Sequence, residues 1–149
     1  FFCIGSIYNR YKTKEINYFG GLSQKIPKMS FFFLIFTLGA IGFPGSSGFI
    51  GEFLTLMSVY SRSTLVAFIS SFGVILAATY MLLLYKKVFL GPINSNIDNK
   101  VNQLHVYETI TFLALSIMIL IIGIKPNLIL SYTTSSLDRI VSLYPITIF

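Results

Sequence analysis

The chain alternates between long apolar runs and short, basic, turn-rich stretches. Three runs stand out, Met29–Tyr60, Thr64–Leu84 and Tyr107–Ile124. At 1.5 Å per residue, about 20 helical residues cross a hydrocarbon core about 30 Å thick. The second run fits one crossing, the third just suffices, and the first is longer than one straight crossing needs. Ahead of them, Phe1–Tyr8 is apolar apart from Ser6 and stops at Arg10. Eight helical residues cover only about 12 Å, which suits an interfacial anchor or, the reading preferred here, the tail of a helix that begins elsewhere. The chain is then a C-terminal portion of something larger. The predicted fold is an all-α integral membrane protein, the end of one truncated helix plus three transmembrane helices. The expected order is the end of a preceding helix at 1–9, a loop at 10–28, a broken transmembrane helix at 29–60, transmembrane helices at 64–84 and 107–124 with a loop at 85–106 between them, and a tail at 125–149.

The first run carries its own interruption. "FPGSSGFIGEF", Phe43 to Phe53, puts one proline, three glycines, two serines and a glutamate into an otherwise apolar stretch. Pro44 removes a backbone donor, while Gly45 and Gly48 permit backbone angles that other residues resist. Two half-helices broken at Phe43–Gly48 are therefore expected. Bare backbone groups in lipid cost several kcal/mol each, so such a break survives only when buried in protein or beside a water-filled cavity. Interrupted helices are a recurrent device of membrane transporters.

Counting back from Tyr60 places Glu52 roughly 12 Å inside the far surface of the membrane. A central charge costs about 2.5–3.5 kcal/mol on insertion scales. A cationic partner from another helix or chain, a water-filled cavity, or protonation would offset that cost. A carboxyl caught between desolvation and a cation can be switched between its protonated and ionised forms, as a proton relay requires. The residues alone leave a second reading open, in which Glu52 caps the second half-helix or sits in a static ion pair.

Composition and charge agree with a membrane location. Mean hydropathy is +0.78 and only 11% of residues are charged, where soluble domains carry about 25%. The net charge of +6 is gathered in loops, with no groove-reading motif, so nucleic acid is not an expected partner. Arg10, Lys12, Lys14, Lys25 and Lys28 fall in one loop, and Lys86, Lys87 and Lys100 in another. Only Arg62, Lys125 and Arg139 fall on the opposite side if each run crosses once. The positive-inside rule then turns the loops at 10–28 and 85–106 to the cytoplasm or mitochondrial matrix and the C-terminus to the other face.

Smaller signals have structural readings. Gly73 and Ala77, four apart, would let another helix approach closely. Glu108 falls in the first turn of its helix, where a negative charge complements the helix dipole. His105 reads as a solvated loop residue and Cys3 as a buried free thiol. One cysteine cannot hold an iron–sulfur cluster and no G-x-G-x-x-G is present, so no cofactor is expected in this chain.

Several stretches together resemble a known family, the antiporter-like, proton-translocating membrane subunits of respiratory complex I. "NRYKTKEINYFGGL" is similar to the family's loop before its broken helix, and "GFPGSSGFIGEF" to the break and the acidic residue after it. "GVILAATYMLLLYKKVFLG" and "YETITFLALSIMILIIGIKPN" resemble its next and last helices. Subunit 4-like members carry glutamate where Glu52 stands, whereas relatives typically carry lysine. The resemblance implies that Glu52 is the terminal intramembrane proton-transfer residue, that Pro44, Gly45 and Gly48 form the break that admits water, and that no redox chemistry occurs here. It implies as partners the other membrane subunits of complex I, including a polypeptide supplying the missing N-terminal helices, since the family's key lysines and upstream glutamate have no match. The implied location is the mitochondrial inner membrane, suited by an AT-rich organellar composition, with the C-terminus on the intermembrane-space side. A bacterial plasma membrane or a plastid thylakoid is the alternative. A structural bundle segment and a component of a cation/proton antiporter are the competing functions.

Overall fold

In the computed structural model the described residues are 1–94, 97 and 103–143, and of residues 135 and 139–143 the backbone alone is described. Lys100 and the side chain of Arg139, both used in the charge reading, lie outside that set. Every regular element among the described residues is helical: α1 (Phe2–Tyr11), a 3-10 turn (Ile16–Tyr18), α2 (Leu22–Lys25), α3 (Pro27–Ile41), α4 (Ser47–Arg62), α5 (Thr64–Phe89), α6 (Val106–Ile124) and α7 (Asn127–Leu143). Of these, α5 and α6 are long and apolar enough to cross a membrane.

Local chemistry sets the ends. Pro27 opens α3 at a position where its missing N–H costs nothing. Ser46 caps α4, its Oγ accepting from Phe49 N at 3.4 Å, and Ser63 caps α5 by accepting from Val66 N at 3.5 Å. Two expected boundaries move. The second apolar run is expected to end at Leu84, before the lysines, but α5 continues to Phe89. Lys86 and Lys87 point outward, exposed, while Val88 and Phe89 on the same turn are buried and hold it helical. The stretch after Ile124, expected as a tail with a short surface helix in "SYTTSSLDRIVSLYP", is helical from Asn127 to Leu143, so the helix starts earlier, directly beyond Pro126.

The helices align by identifiable contacts. A single residue, Ser63, separates α4 from α5, and at the far end of α5 Tyr85 and Phe89 pack on Phe33 of α3 at 6.3 and 4.8 Å between ring centroids. Thus α5 returns past α4 and then α3. The last long helix, α6, runs parallel to α3: Phe112 meets Phe32 and Phe36 at 5.7 and 6.0 Å, and Ile119 lies beside Gly39. The stretch following Tyr11 and the stretch following Phe89 join at one end of the bundle, through Gly21 N donating to the Leu90 carbonyl and Asn94 N to the Gly20 carbonyl.

The buried apolar residues gather at that end, around Leu22, Ile26, Met29, Phe33 and Phe89. Elsewhere large apolar side chains are bare, with Phe68, Leu76 and Tyr80 on α5 each more than 60% exposed. Apolar surface on that scale belongs in lipid or against other protein. Among the described residues the close approach expected at Gly73 is not made, since a Cβ there meets nothing within 4 Å.

Candidate functional site

The interruption between α3 and α4 is built from backbone. Gly42 adopts φ 74°, ψ 42°, a left-handed conformation that costs other residues a Cβ clash. Its N–H turns to the Gly39 carbonyl at 3.4 Å and that of Phe43 to the Leu38 carbonyl at 3.0 Å. This is a Schellman ending, which satisfies two carbonyls that the last turn of a helix leaves unpaired. Pro44 follows, unable to resume the helix. Gly45 takes φ 93°, and Ser46 N closes a turn onto the Phe43 carbonyl at 3.0 Å before capping α4.

The non-helical segment is therefore Gly42–Ser46, where the composition predicts Phe43–Gly48. The correction concerns Gly48. It lies in the first turn of α4 and its φ is not positive. The serine cap restarts the helix earlier than the glycine content implies. What demands a glycine at 48 is proximity: an added Cβ would overlap the Gly39 carbonyl oxygen and lie 3.4 Å from its carbon. The start of α4 is thus pressed against the end of α3.

Glu52 stands in the second turn of α4, half-buried. Its side chain points back towards the helix N-terminus, as long helical side chains do, and its carboxylate lies on Gly42. A Cβ at Gly42 would collide with Oε2 and fall 3.0 Å from the carboxylate carbon. No hydrogen bond or ion pair of Glu52 occurs among the described residues. The structure therefore brings Glu52 together with Gly42, at the start of the segment that contains Pro44 and Gly45, and leaves its carboxylate beside the unwound backbone.

Two further contacts escape the sequence. On α6, Gly123 faces the break so closely that a Cβ would strike the Gly45 carbonyl oxygen, with the carbonyl carbons of Gly45 and Ser46 at 2.5 and 2.6 Å. An almost wholly apolar cavity of about 350 Å³ ends at Ser47, the first residue of α4, and is lined by Phe1, Phe2, Phe36, Met118 and Ile119 among others. Gly42 does carry a sequence signal, as a glycine two residues before a proline, a common helix ending. Gly123 has no small residue four positions away and gives no such signal.

At the opposite end, Glu108 does more than cap. Its Oε2 accepts from His105 N at 2.9 Å, so His105 marks the start of α6 through its backbone. The carboxylate also receives both terminal nitrogens of Arg10, at 2.9 and 2.5 Å, and the Ser6 hydroxyl. The Glu108 hydrogen bond strengthens Arg10's hold on its proton. The pair ties the last turn of α1 to the first turn of α6, with side chains 10% and 12% exposed.

The membrane-domain model described as "NADH:quinone oxidoreductase/Mrp antiporter, TM" matches residues 1–78. The chain belongs to that family. The family match takes in α1, the loop after it, the break, Glu52 and half of α5. NADH-quinone oxidoreductase subunit M of Rickettsia bellii is 40% identical over 140 residues, covering 94% of this chain and 28% of its own length. NADH-ubiquinone oxidoreductase chain 4 of Marchantia polymorpha is 38% identical over 141 residues, 95% of this chain and again 28% of the relative. A chain of respiratory complex I from Thermus thermophilus, solved with bound NADH, superposes with a TM-score of 0.73 at 36% identity, covering 82% of this chain and 25% of that one. The chain thus spans little more than a quarter of the family members it matches.

Proposed function

We propose that this chain is the C-terminal part of a subunit 4-like, proton-translocating membrane subunit of NADH:quinone oxidoreductase, and that Glu52 takes up and releases a proton beside the break. The observation that carries this reading is the placement of the Glu52 carboxylate on Gly42, without an ion-pair or hydrogen-bond partner among the described residues. An intramembrane carboxylate is costly and is by default a candidate for ion movement. Here it lies against backbone that has left the helix at Gly42, and irregular backbone at membrane depth is tolerated where it is buried in protein or meets water. Proton uptake converts the carboxylate to the neutral acid, and release restores the charge, so the side chain cycles without any covalent intermediate.

On this reading the chain binds no cofactor, and its partners are the remaining helices of its own subunit and the other membrane subunits of the complex. The membrane is the mitochondrial inner membrane or a bacterial plasma membrane, with the C-terminus facing the intermembrane space or periplasm. Glu52→Gln, made in the intact complex, is expected to lower protons moved per electron while assembly and NADH oxidation persist. An unchanged ratio in an assembled Glu52→Gln complex overturns the proposal. The family description also covers Mrp antiporters. Sodium- or potassium-dependent transport without NADH oxidation would move the chain to that branch.

A further inference from the structure

We infer that Gly123 of α6 is a positioning residue for the proton site: by lacking a side chain it lets the last long helix seat directly on the Gly45 and Ser46 backbone and hold the unwound segment in place. The inference rests on the proton-transfer reading of Glu52 above.

Three observations meet here. The first is that α6 runs parallel to α3, with Phe112 on Phe32 and Phe36 and Ile119 beside Gly39, and then meets the break itself at Gly123. The second is what it meets. A Cβ at Gly123 would overlap the Gly45 carbonyl oxygen and stand 2.5 and 2.6 Å from the Gly45 and Ser46 carbonyl carbons. These are backbone atoms with no rotamer to yield, and Gly45 is held at φ 93°. The third is the condition of Ser46, only 4% exposed although it lies in a non-helical segment whose Phe43, Pro44 and Gly45 are exposed. Irregular backbone at membrane depth must be buried in protein or face water, and α6 is an element that packs on the buried end of this stretch.

The consequence concerns the backbone beside Glu52. With α6 seated, its backbone lies on the Gly45 and Ser46 carbonyl groups and fixes where the break ends. A side chain at 123 would push α6 away and release that backbone. The carboxylate of Glu52, lying on Gly42 a few residues before Gly45, would then lose the fixed backbone it rests on. The expected result is a loss of coupling rather than of electron transfer.

The experiment is a series at one position in the intact complex, Gly123→Ala and Gly123→Val, with Glu52→Gln alongside. Two quantities are read: protons moved per electron at matched NADH oxidation, and hydrogen–deuterium exchange of the peptide containing 42–46 by mass spectrometry. Gly123→Val is expected to raise exchange of that peptide at least several-fold and to lower the proton ratio, with Gly123→Ala intermediate. If the valine variant fails to assemble, the alanine variant carries the test. Native exchange and a native proton ratio in an assembled Gly123→Ala or Gly123→Val complex overturn the inference. A normal ratio in Glu52→Gln overturns the proton reading instead, whatever Gly123 does. Faster exchange with an unchanged ratio removes the positioning role and leaves Gly123 as a packing residue.

Discussion

Around the start of α3, large side chains meet. Phe33 packs against the stacked pair of Tyr85 and Phe89, Phe32 and Phe36 meet Phe112, and Arg10 locks onto Glu108 across two helices. Around the end of α3, the close contacts are made where side chains are missing: Gly48 on Gly39, Gly123 on Gly45, and Gly42 beneath the Glu52 carboxylate. The difference reflects what each end must tolerate. Filled aromatic packing resists rearrangement and gives a rigid frame. A glycine-lined break allows backbone to approach backbone and seats the Glu52 carboxylate on Gly42. The first arrangement holds helices in register, and the second sets a carboxylate against unwound backbone, where the proposed reading has it exchange a proton.

Substitutions at the two ends should therefore fail in different ways. The largest effect is expected from Arg10→Ala, which strands a nearly buried Glu108 carboxylate. Loss of one partner of a buried pair costs about 3–5 kcal/mol, so the assembled subunit should be strongly depleted in membranes. Blue-native gel quantification of the complex would read this. Removing both charges in Arg10→Met with Glu108→Leu should recover much of the loss, and a double variant as poor as the single one would contradict the pairing. Next comes Gly48→Ala, where overpacking against the Gly39 carbonyl costs about 1–3 kcal/mol and pushes α4 from α3. Here thermal stability of the purified complex should fall modestly while the proton ratio falls more. Equal loss in both would erase the contrast between the ends. Smallest is Ser46→Ala, the loss of one helix cap, about 1 kcal/mol, visible as a small drop in thermal stability with electron transfer intact.

Several features of the site are legible in the amino-acid order. Pro44 and Gly45 announce an interruption, and Glu52 announces itself by being acidic in an apolar run. The end of the break falls two residues earlier than the glycines suggest, because glycine content cannot distinguish a residue that needs unusual backbone angles from one that needs space. Gly48 is of the second kind. Glu108 is expected to serve its own helix dipole, and the fold adds an arginine 98 positions away. No local pattern connects Arg10 to Glu108, because the pair exists only when α1 and α6 are packed side by side. The converse holds for Gly73, whose small-residue spacing promises a contact that is not made among the described residues.

What the sequence determined by itself is governed by local physics: where helices begin and stop, which segments prefer lipid to water, and which loops carry positive charge. Hydrophobic run length, proline, glycine and serine caps act over a few residues and can be read in order along the chain. What only the tertiary structure decided is which backbone lies against which. That α6 meets the break at Gly123, that Glu52 comes to rest on Gly42, and that Arg10 closes on Glu108 all depend on helix directions and register. Those are set by the summed packing of faces far apart in sequence, and a glycine leaves no side chain from which its partner could be inferred.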